Sequence, residues 1–201
     1  MTADNVAPTL GSVCVFCASS PGIDPAYMAG ADRLGALLAE HGVRLVYGGG
    51  GIGLMGAVAR ATHAAGGQVL GVMPTFLSRR EMAFDSVETV FVQSMHERKA
   101  RMFEESDAFA VLPGGIGTLE EVVELLSWHR LGLHSKPIVF LDSAYWGPLF
   151  ELMRHTVAQG LTPASFLDSW RVVERPEDIL PAMRAMLEAG PRADPGAAFL
   201  T

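Results

Sequence analysis

Short apolar segments that look like buried strands alternate with longer segments of helical periodicity along the chain. The strand-like segments cover residues 12–17, 43–47, 68–73, 89–92, 108–112, 137–141 and 171–173. The helix-like segments cover residues 25–41, 53–65, 95–106, 119–131, 144–159 and 176–189. Strands with little polar alternation are typical of a parallel sheet that is covered on both faces. Their alternation with helices predicts a doubly wound α/β fold.

The predicted fold is a single α/β domain over residues 12–189, a Rossmann-like doubly wound parallel sheet with helices on both faces. A chain of 201 residues has the length of one domain, and we find no internal repeat or linker that would divide it. Residues 1–11 and 190–201 are rich in small residues and proline, so we predict a flexible N-terminus and a flexible C-terminal tail.

The charge balance excludes several classes of partner. The formal net charge is −7, from 15 basic and 22 acidic side chains. Non-specific binding to nucleic acid or to an anionic membrane needs a positive surface, so neither is expected. The N-terminus does not look like a signal peptide, and the apolar stretch 45–59 is too short to span a membrane.

The two cysteines, Cys14 and Cys17, have the C-x-x-C spacing of redox and zinc sites. They fall in a strand-like segment, where residues three apart point to opposite faces, so we predict buried core thiols instead. Reduced thiols favour a cytoplasmic location. The six histidines show no paired spacing of metal ligands, so no metal is expected.

Two glycine-rich turns follow predicted strands, at residues 48–56 and 113–118. Glycine lets backbone N–H groups approach a ligand closely, and each turn leads into a helix N-terminus that favours anions. The first turn contains G-x-G-x-x-G, but the next strand ends without the carboxylate that a dinucleotide site needs. No Gly-Lys-Ser/Thr triplet of a Walker A loop is present. A pyridoxal Schiff base would have only Lys99 and Lys136 to choose from.

Three charged residues in the helix-like segments are open to two interpretations each. Arg98 and Lys99 lie beside Met95 and Met102 on the apolar stripe of a helix. They are either cations that snorkel to solvent or pair with an internal carboxylate, or a clamp that binds an anion. Glu121 follows Thr118 at the spacing of a capping box, so it either caps a helix that begins near Leu119 or acts in catalysis.

The motifs Gly49-Gly50-x-x-Gly53-Leu54-Met55-Gly56 and Pro113-Gly114-Gly115-x-Gly117-Thr118-x-x-Glu121 resemble those of the Lonely Guy family. These proteins are cytokinin-activating phosphoribohydrolases, some of which carry a lysine decarboxylase label. The likeness covers roughly residues 13–141 and includes Met95-His96-x-Arg98-Lys99. Ala18 and Arg130 depart from the glycine and glutamine that are common in the family.

The resemblance implies hydrolysis of the N-glycosidic bond of an adenosine 5′-monophosphate, modified at N6 or plain, to a free base and ribose 5-phosphate. It implies that Arg98 and Glu121 are catalytic and that no cofactor or metal takes part. The substrate-binding residues that it implies are Ser19, Gly49, Gly50, Gly53, Glu81, Met95, Lys99, Gly114, Gly115, Ile116, Gly117, Thr118, Leu119, Glu120 and Ser127. It also implies a homodimer or a higher homo-oligomer.

Two alternatives remain open from the sequence. A non-catalytic carrier of a nucleotide or of molybdenum cofactor would share the glycine-rich turns, although the presence of both Arg98 and Glu121 favours an enzyme. A lysine decarboxylase would bind pyridoxal phosphate. The base pocket is expected in residues 74–94, the stretch that matches the family least, so isopentenyladenine, adenine and other bases all stay open as the preferred base.

Overall fold

The computed structural model describes residues 9–78, 82 and 84–190, which form seven strands and six α-helices. The strands are β1 (Ser12–Phe16), β2 (Arg44–Tyr47), β3 (Val69–Pro74), β4 (Glu88–Val92), β5 (Ala108–Val111), β6 (Ile138–Leu141) and β7 (Arg171–Val173). The helices are α1 (Pro25–Glu40), α2 (Gly53–Ala64), α3 (Met95–Glu104), α4 (Ile116–Arg130), α5 (Ser143–Ala158) and α6 (Ile179–Ala189). Residues 1–8 and 191–201, most of the two predicted flexible ends, lie outside the described residues.

All seven strands pair in parallel in the order β4-β3-β2-β1-β5-β6-β7. This arrangement confirms the predicted Rossmann-like fold. The strand order reverses between β1 and β5, which are neighbours in the sheet although β2, β3 and β4 lie between them in the sequence. Ligands of doubly wound sheets bind outside the carboxyl ends of the strands at such a point.

The core has two layers, one on each face of the sheet. Val13 and Val15 of β1 face the layer beneath α1, α2 and α6, whereas Cys14 and Phe16 face the layer beneath α3, α4 and α5. Cys17 belongs to the first layer, so the two thiols lie on opposite faces of the sheet. Both are free and buried, which confirms the prediction of core thiols.

Most helix ends lie within two residues of the predicted positions, and two helix starts differ by three residues. The carboxylate of Asp24 accepts the N–H of Ala26 and caps α1 as expected. Helix α4 begins at Ile116, three residues before the predicted start. The last predicted helix is divided into a 3₁₀ turn, Pro176–Asp178, and α6.

Candidate functional site

Three turns meet at the carboxyl edge of the sheet where the strand order reverses. Ala18, which follows β1, donates its N–H to the carbonyl of Pro113 at 3.1 Å. The carbonyl of Ala18 accepts the N–H of Met55, in the first turn of α2, at 3.2 Å. The turn after β1 therefore joins the two glycine-rich turns through backbone hydrogen bonds, and the predicted contact residue Ser19 lies in the same turn.

In the first glycine-rich turn, the space beside the glycines is occupied by the protein itself. A Cβ on Gly48 would lie 2.0 Å from Nη2 of Arg98, and one on Gly51 would lie 2.4 Å from the carbonyl oxygen of Met82. A Cβ on Gly53 would lie 2.6 Å from the carbonyl oxygen of Ser20. Glycine is needed at these three positions because backbone atoms and Arg98 pack against the turn. The sequence suggested a different reason, namely the close approach of a ligand.

The second glycine-rich turn is open. No described atom outside the immediate chain lies within 4 Å of a Cβ built on Gly115 or Gly117. Gly115 is the N-cap residue of α4, and among the described residues no side chain caps this helix. Helices α1, α3 and α5 are capped by the side chains of their N-cap residues, whereas α2 and α6, like α4, have no such cap among the described residues. The exposed N–H groups at the start of α4 are therefore available to an external anion.

The capping interpretation of Thr118 and Glu121 is wrong. Gly115 adopts an extended N-cap conformation and its carbonyl accepts the N–H of Leu119 at 3.0 Å, so the helix is already formed at Thr118. Thr118 is buried, and its side chain fills the space where a Cβ on Gly114 would lie. Since Glu121 lies one turn inside the helix, it cannot reach back to an N-cap at Thr118.

Arg98 is a buried cation held by backbone carbonyls. It lies in α3, only 3% exposed. Its Nη2 donates to the carbonyl of Gly48 at 2.7 Å and its Nε donates to the carbonyl of Val72 at 3.2 Å. The carbonyl of Gly48 directly follows β2 and that of Val72 lies in the second half of β3, so Arg98 lies towards the carboxyl edge of the sheet. The snorkelling interpretation of Arg98 is therefore wrong, because its guanidinium group points inward.

Glu121 and Arg98 act electrostatically on the same thiols. Burial raises the pKa of Cys17, the carboxylate of Glu121 raises it further, and the guanidinium of Arg98 lowers it. The two charges have the same effects on the pKa of Cys14. Glu121 also lines a narrow crevice whose wall includes Phe16. Glu121 thus lies near β1 on the helix that begins at the open turn, and Arg98 lies at the same carboxyl edge of the sheet.

Lys99 and the outer residues of α4 adjoin the crevice that Glu121 lines, since Lys99 is part of its wall. Nζ of Lys99 is paired with Glu120 and lies 2.8 Å from Oε2 of Glu124. An open groove along α4 is lined by Ile116, Leu119, Glu120, Val123, Glu124, Ser127 and Trp128. Four predicted contact residues line this groove, and three of them, Leu119, Glu120 and Ser127, lie beyond the glycine-rich turn. Glu81 lies outside the described residues, and Met95 is partly exposed in the first turn of α3.

Sequence reasoning missed the groups that hold the site in place. The carbonyls of Gly48 and Val72 leave no signal in the sequence, because every residue has a carbonyl. Oη of Tyr145 donates to the carbonyl of Gly114 at 2.6 Å. Tyr145 lies just after β6, at the same edge of the sheet. That position after a predicted strand was the signal from which a contact with the site could have been inferred.

No group of three or more His, Cys, Asp and Glu in the described part of the chain could hold a metal ion. No helix in that part is long and apolar enough to span a membrane.

Comparison with known proteins gives consistent results. The model of a family described as "Possible lysine decarboxylase" matches residues 55–183. The probable cytokinin riboside 5′-monophosphate phosphoribohydrolase LOGL5 of Oryza sativa subsp. japonica is 48% identical over 74% of this chain. That match covers 61% of the length of the rice protein. The cytokinin riboside 5′-monophosphate phosphoribohydrolase of Rhodococcoides fascians is 46% identical over 79% of this chain and 82% of its own length.

Among solved structures, the Moco carrier protein of Chlamydomonas reinhardtii has a TM-score of 0.67 and covers 90% of this chain and 99% of its own length. At 21% identity this likeness shows a shared fold only. The identity to the plant and bacterial relatives is much higher and extends over about three quarters of this chain. On this evidence the chain belongs to the LOG family of cytokinin riboside 5′-monophosphate phosphoribohydrolases, which the matching family model also covers.

Proposed function

We propose that this chain hydrolyses the N-glycosidic bond of N6-modified adenosine 5′-monophosphates and releases the free base and ribose 5-phosphate. The observation that carries the proposal is the open, uncapped turn at the start of α4, the helix that carries Glu121, with the buried Arg98 held at the same carboxyl edge of the sheet. The turn favours the anionic phosphate of the substrate, and the Glu121 carboxylate favours the positive charge that develops on the ribose during cleavage. The family names of the relatives support the same reaction.

The 5′-phosphate binds the N–H groups of residues 114–118. These N–H groups and the dipole of α4 favour a dianion without any lysine in the turn. The neighbouring turn after β1 places Ser19 beside the same edge. The remaining residues implied by the resemblance are proposed as further contacts of the nucleotide: Gly49, Gly50, Gly53, Glu81, Met95, Lys99, Leu119, Glu120 and Ser127.

Glu121 and Arg98 act on the bond to the base. Cleavage builds positive charge on the ribose ring and requires a water molecule at C1′, as in other glycoside hydrolysis. The Glu121 carboxylate stabilises that charge and takes a proton from the water. Arg98, which two carbonyls hold in place, orients the carboxylate and the sugar phosphate. The chemistry requires neither a metal nor an organic cofactor.

A pyridoxal-dependent lysine decarboxylase is less well supported. The chain has two lysines, and a Schiff base needs a neutral, accessible amine. Nζ of Lys99 is paired with two glutamates, and Nζ of Lys136 donates to the carbonyl of Phe103 at 2.6 Å. Both amines are therefore already engaged within the protein.

We further propose a homodimer, or a higher homo-oligomer, formed through the outer face of α4, so that the nucleotide contacts proposed on this helix lie near the interface. Ile116 is 84% exposed and Val123 is 47% exposed, and both line the open groove on this helix. Exposed apolar residues in one patch are typical of a protein interface. Val123→Glu is expected to shift the protein to a monomer in size-exclusion chromatography with light scattering, whereas a wild-type protein that is monomeric would contradict this interface. The single-domain organisation and the cytoplasmic location stay predictions.

The reaction is tested by product release from nucleoside 5′-monophosphates, measured by chromatography. The panel contains the monophosphates of adenosine, isopentenyladenosine, guanosine and cytidine, each beside its unphosphorylated nucleoside. We expect free base from the adenine-type monophosphates and none from the nucleosides. Tight nucleotide binding without release of any base would contradict the hydrolase and support a carrier.

A further inference from the structure

A tyrosine outside the glycine-rich motif contacts the open turn. Tyr145 lies in the first turn of α5, and its Oη donates to the carbonyl of Gly114 at 2.6 Å. Its ring packs edge-on against Tyr27 and Trp146, with ring centroids 5.8 and 5.0 Å apart. Its own N–H donates to the carboxylate of Asp142 at 3.0 Å. The hydroxyl group is therefore held in place from several sides.

The turn contains three consecutive peptide groups, and a different element holds each one. The carbonyl of Pro113 accepts the N–H of Ala18, from the turn after β1. The carbonyl of Gly115 accepts the first hydrogen bond of α4. The carbonyl between them, that of Gly114, accepts the hydroxyl of Tyr145. The outer two are held by backbone groups, and the middle one by a side chain.

The middle peptide is the one with the greatest freedom to rotate. It joins two glycines, which have no Cβ to restrict the backbone. In a trans peptide the C=O and N–H groups point in opposite directions. A bond that fixes the carbonyl of Gly114 on its buried side therefore directs the N–H of Gly115 towards the exposed side, where a Cβ on Gly115 would also meet open space.

We propose that Tyr145 is a positioning residue for the substrate phosphate: its hydroxyl prevents rotation of the Gly114–Gly115 peptide and so keeps the N–H of Gly115 directed at the phosphate. The proposal rests on the proposed function, in which this turn binds the 5′-phosphate. The phosphate is remote from the bond that breaks, so a group that binds it does so equally strongly in the bound substrate and in the transition state. Losing one therefore raises KM and leaves kcat unchanged.

The test compares Tyr145→Phe with wild type and with Tyr27→Phe. Tyr145→Phe removes one hydroxyl and keeps the ring that packs against Tyr27 and Trp146. Tyr27→Phe is the matched control, because it removes the other hydroxyl of the same aromatic pair. The measurements are kcat and KM for the preferred monophosphate, and the Kd of ribose 5-phosphate by calorimetry, which needs no turnover.

We expect Tyr145→Phe to raise KM and the Kd of ribose 5-phosphate about 3- to 10-fold, the range for one lost hydrogen bond. We expect kcat to stay within about twofold and Tyr27→Phe to behave like wild type. An unchanged KM, or a fall in kcat alone, would overturn the positioning role while the hydrolase itself stands. Weaker binding of ribose 5-phosphate in Tyr145→Phe, in a protein that releases no base, would support the role of Tyr145 and reject the hydrolase.

Discussion

Replacing Gly48 by alanine tests how the site holds Arg98. The new Cβ would lie 2.0 Å from Nη2 and 2.9 Å from Cζ of Arg98. To reach an ordinary contact distance of 3.4 Å, Nη2 has to move by roughly 1.4 Å. That movement breaks the 2.7 Å hydrogen bond to the carbonyl of Gly48. The backbone of Gly48 is not in the left-handed region, so alanine itself introduces no conformational strain there.

The expected effect is on catalysis more than on folding. Loss of one preorganised charge-stabilising group costs about 10²–10³ in kcat, which is about 3–4 kcal/mol. We therefore expect Gly48→Ala to lower kcat at least about 100-fold. The lost hydrogen bond of a charged donor, about 1.5–3 kcal/mol, is partly offset because alanine restricts the unfolded chain. Thermal unfolding should consequently change by only a few degrees.

Steady-state kinetics and a double-mutant cycle check this reasoning. Gly48→Ala introduced into an Arg98→Ala protein should have almost no further effect on kcat, since the group that it displaces is already gone. The matched control is Gly147→Ala in α5, where no described atom lies within 4 Å of the new Cβ. Wild-type kcat in Gly48→Ala, or additive losses in the double variant, would refute the proposed coupling.

Three further predictions follow from the same geometry. Glu121→Gln keeps the size of the side chain and removes its charge, so kcat should fall at least about 100-fold with an unchanged melting temperature; an active variant would exclude Glu121 as the catalytic carboxylate. Gly117→Ala adds helix propensity of up to about 1 kcal/mol and places a methyl group in the open turn. It should therefore raise the melting temperature and the KM together, and a raised KM without stabilisation would contradict the helical placement of residue 117. Burial lowers the pKa of His134 to about 4, and the nearby His129 and Lys136 also lower it. The folded state therefore favours neutral His134, and its stability should fall as the pH drops from about 6.5 towards 4, by at most about 1.4 kcal/mol per pH unit. Urea unfolding at several pH values should show this slope in wild type and a smaller one in His134→Gln.

The sequence was sufficient for the features that depend on neighbouring residues. The seven strands, the two core layers and the Asp24 cap all follow from local periodicity and local hydrogen bonding. The placement of Cys14 and Cys17 on opposite faces follows from the strand period alone.

The features that the sequence did not predict depend on contacts between distant residues. The pattern of the first glycine-rich turn suggested a ligand, yet Gly48 accommodates Arg98, 50 residues further along the chain. The start of α4 was placed at Leu119 because Thr118 and Glu121 match a capping box. The extended conformation of Gly115 instead allows the helix to begin at Ile116. The pairing of Lys99 with Glu120 and Glu124 likewise requires knowledge of how α3 packs against α4.

The close approach of Gly48 and Arg98 makes the two positions dependent on each other during evolution. A chain that retains the arginine in its hydrogen bond to the carbonyl of residue 48 can accept only glycine there, because any Cβ overlaps the guanidinium group in this position. A chain that has replaced the arginine by a smaller residue is released from this restriction. Alanine or serine at the position of Gly48 should therefore identify relatives that have kept the scaffold and lost hydrolysis.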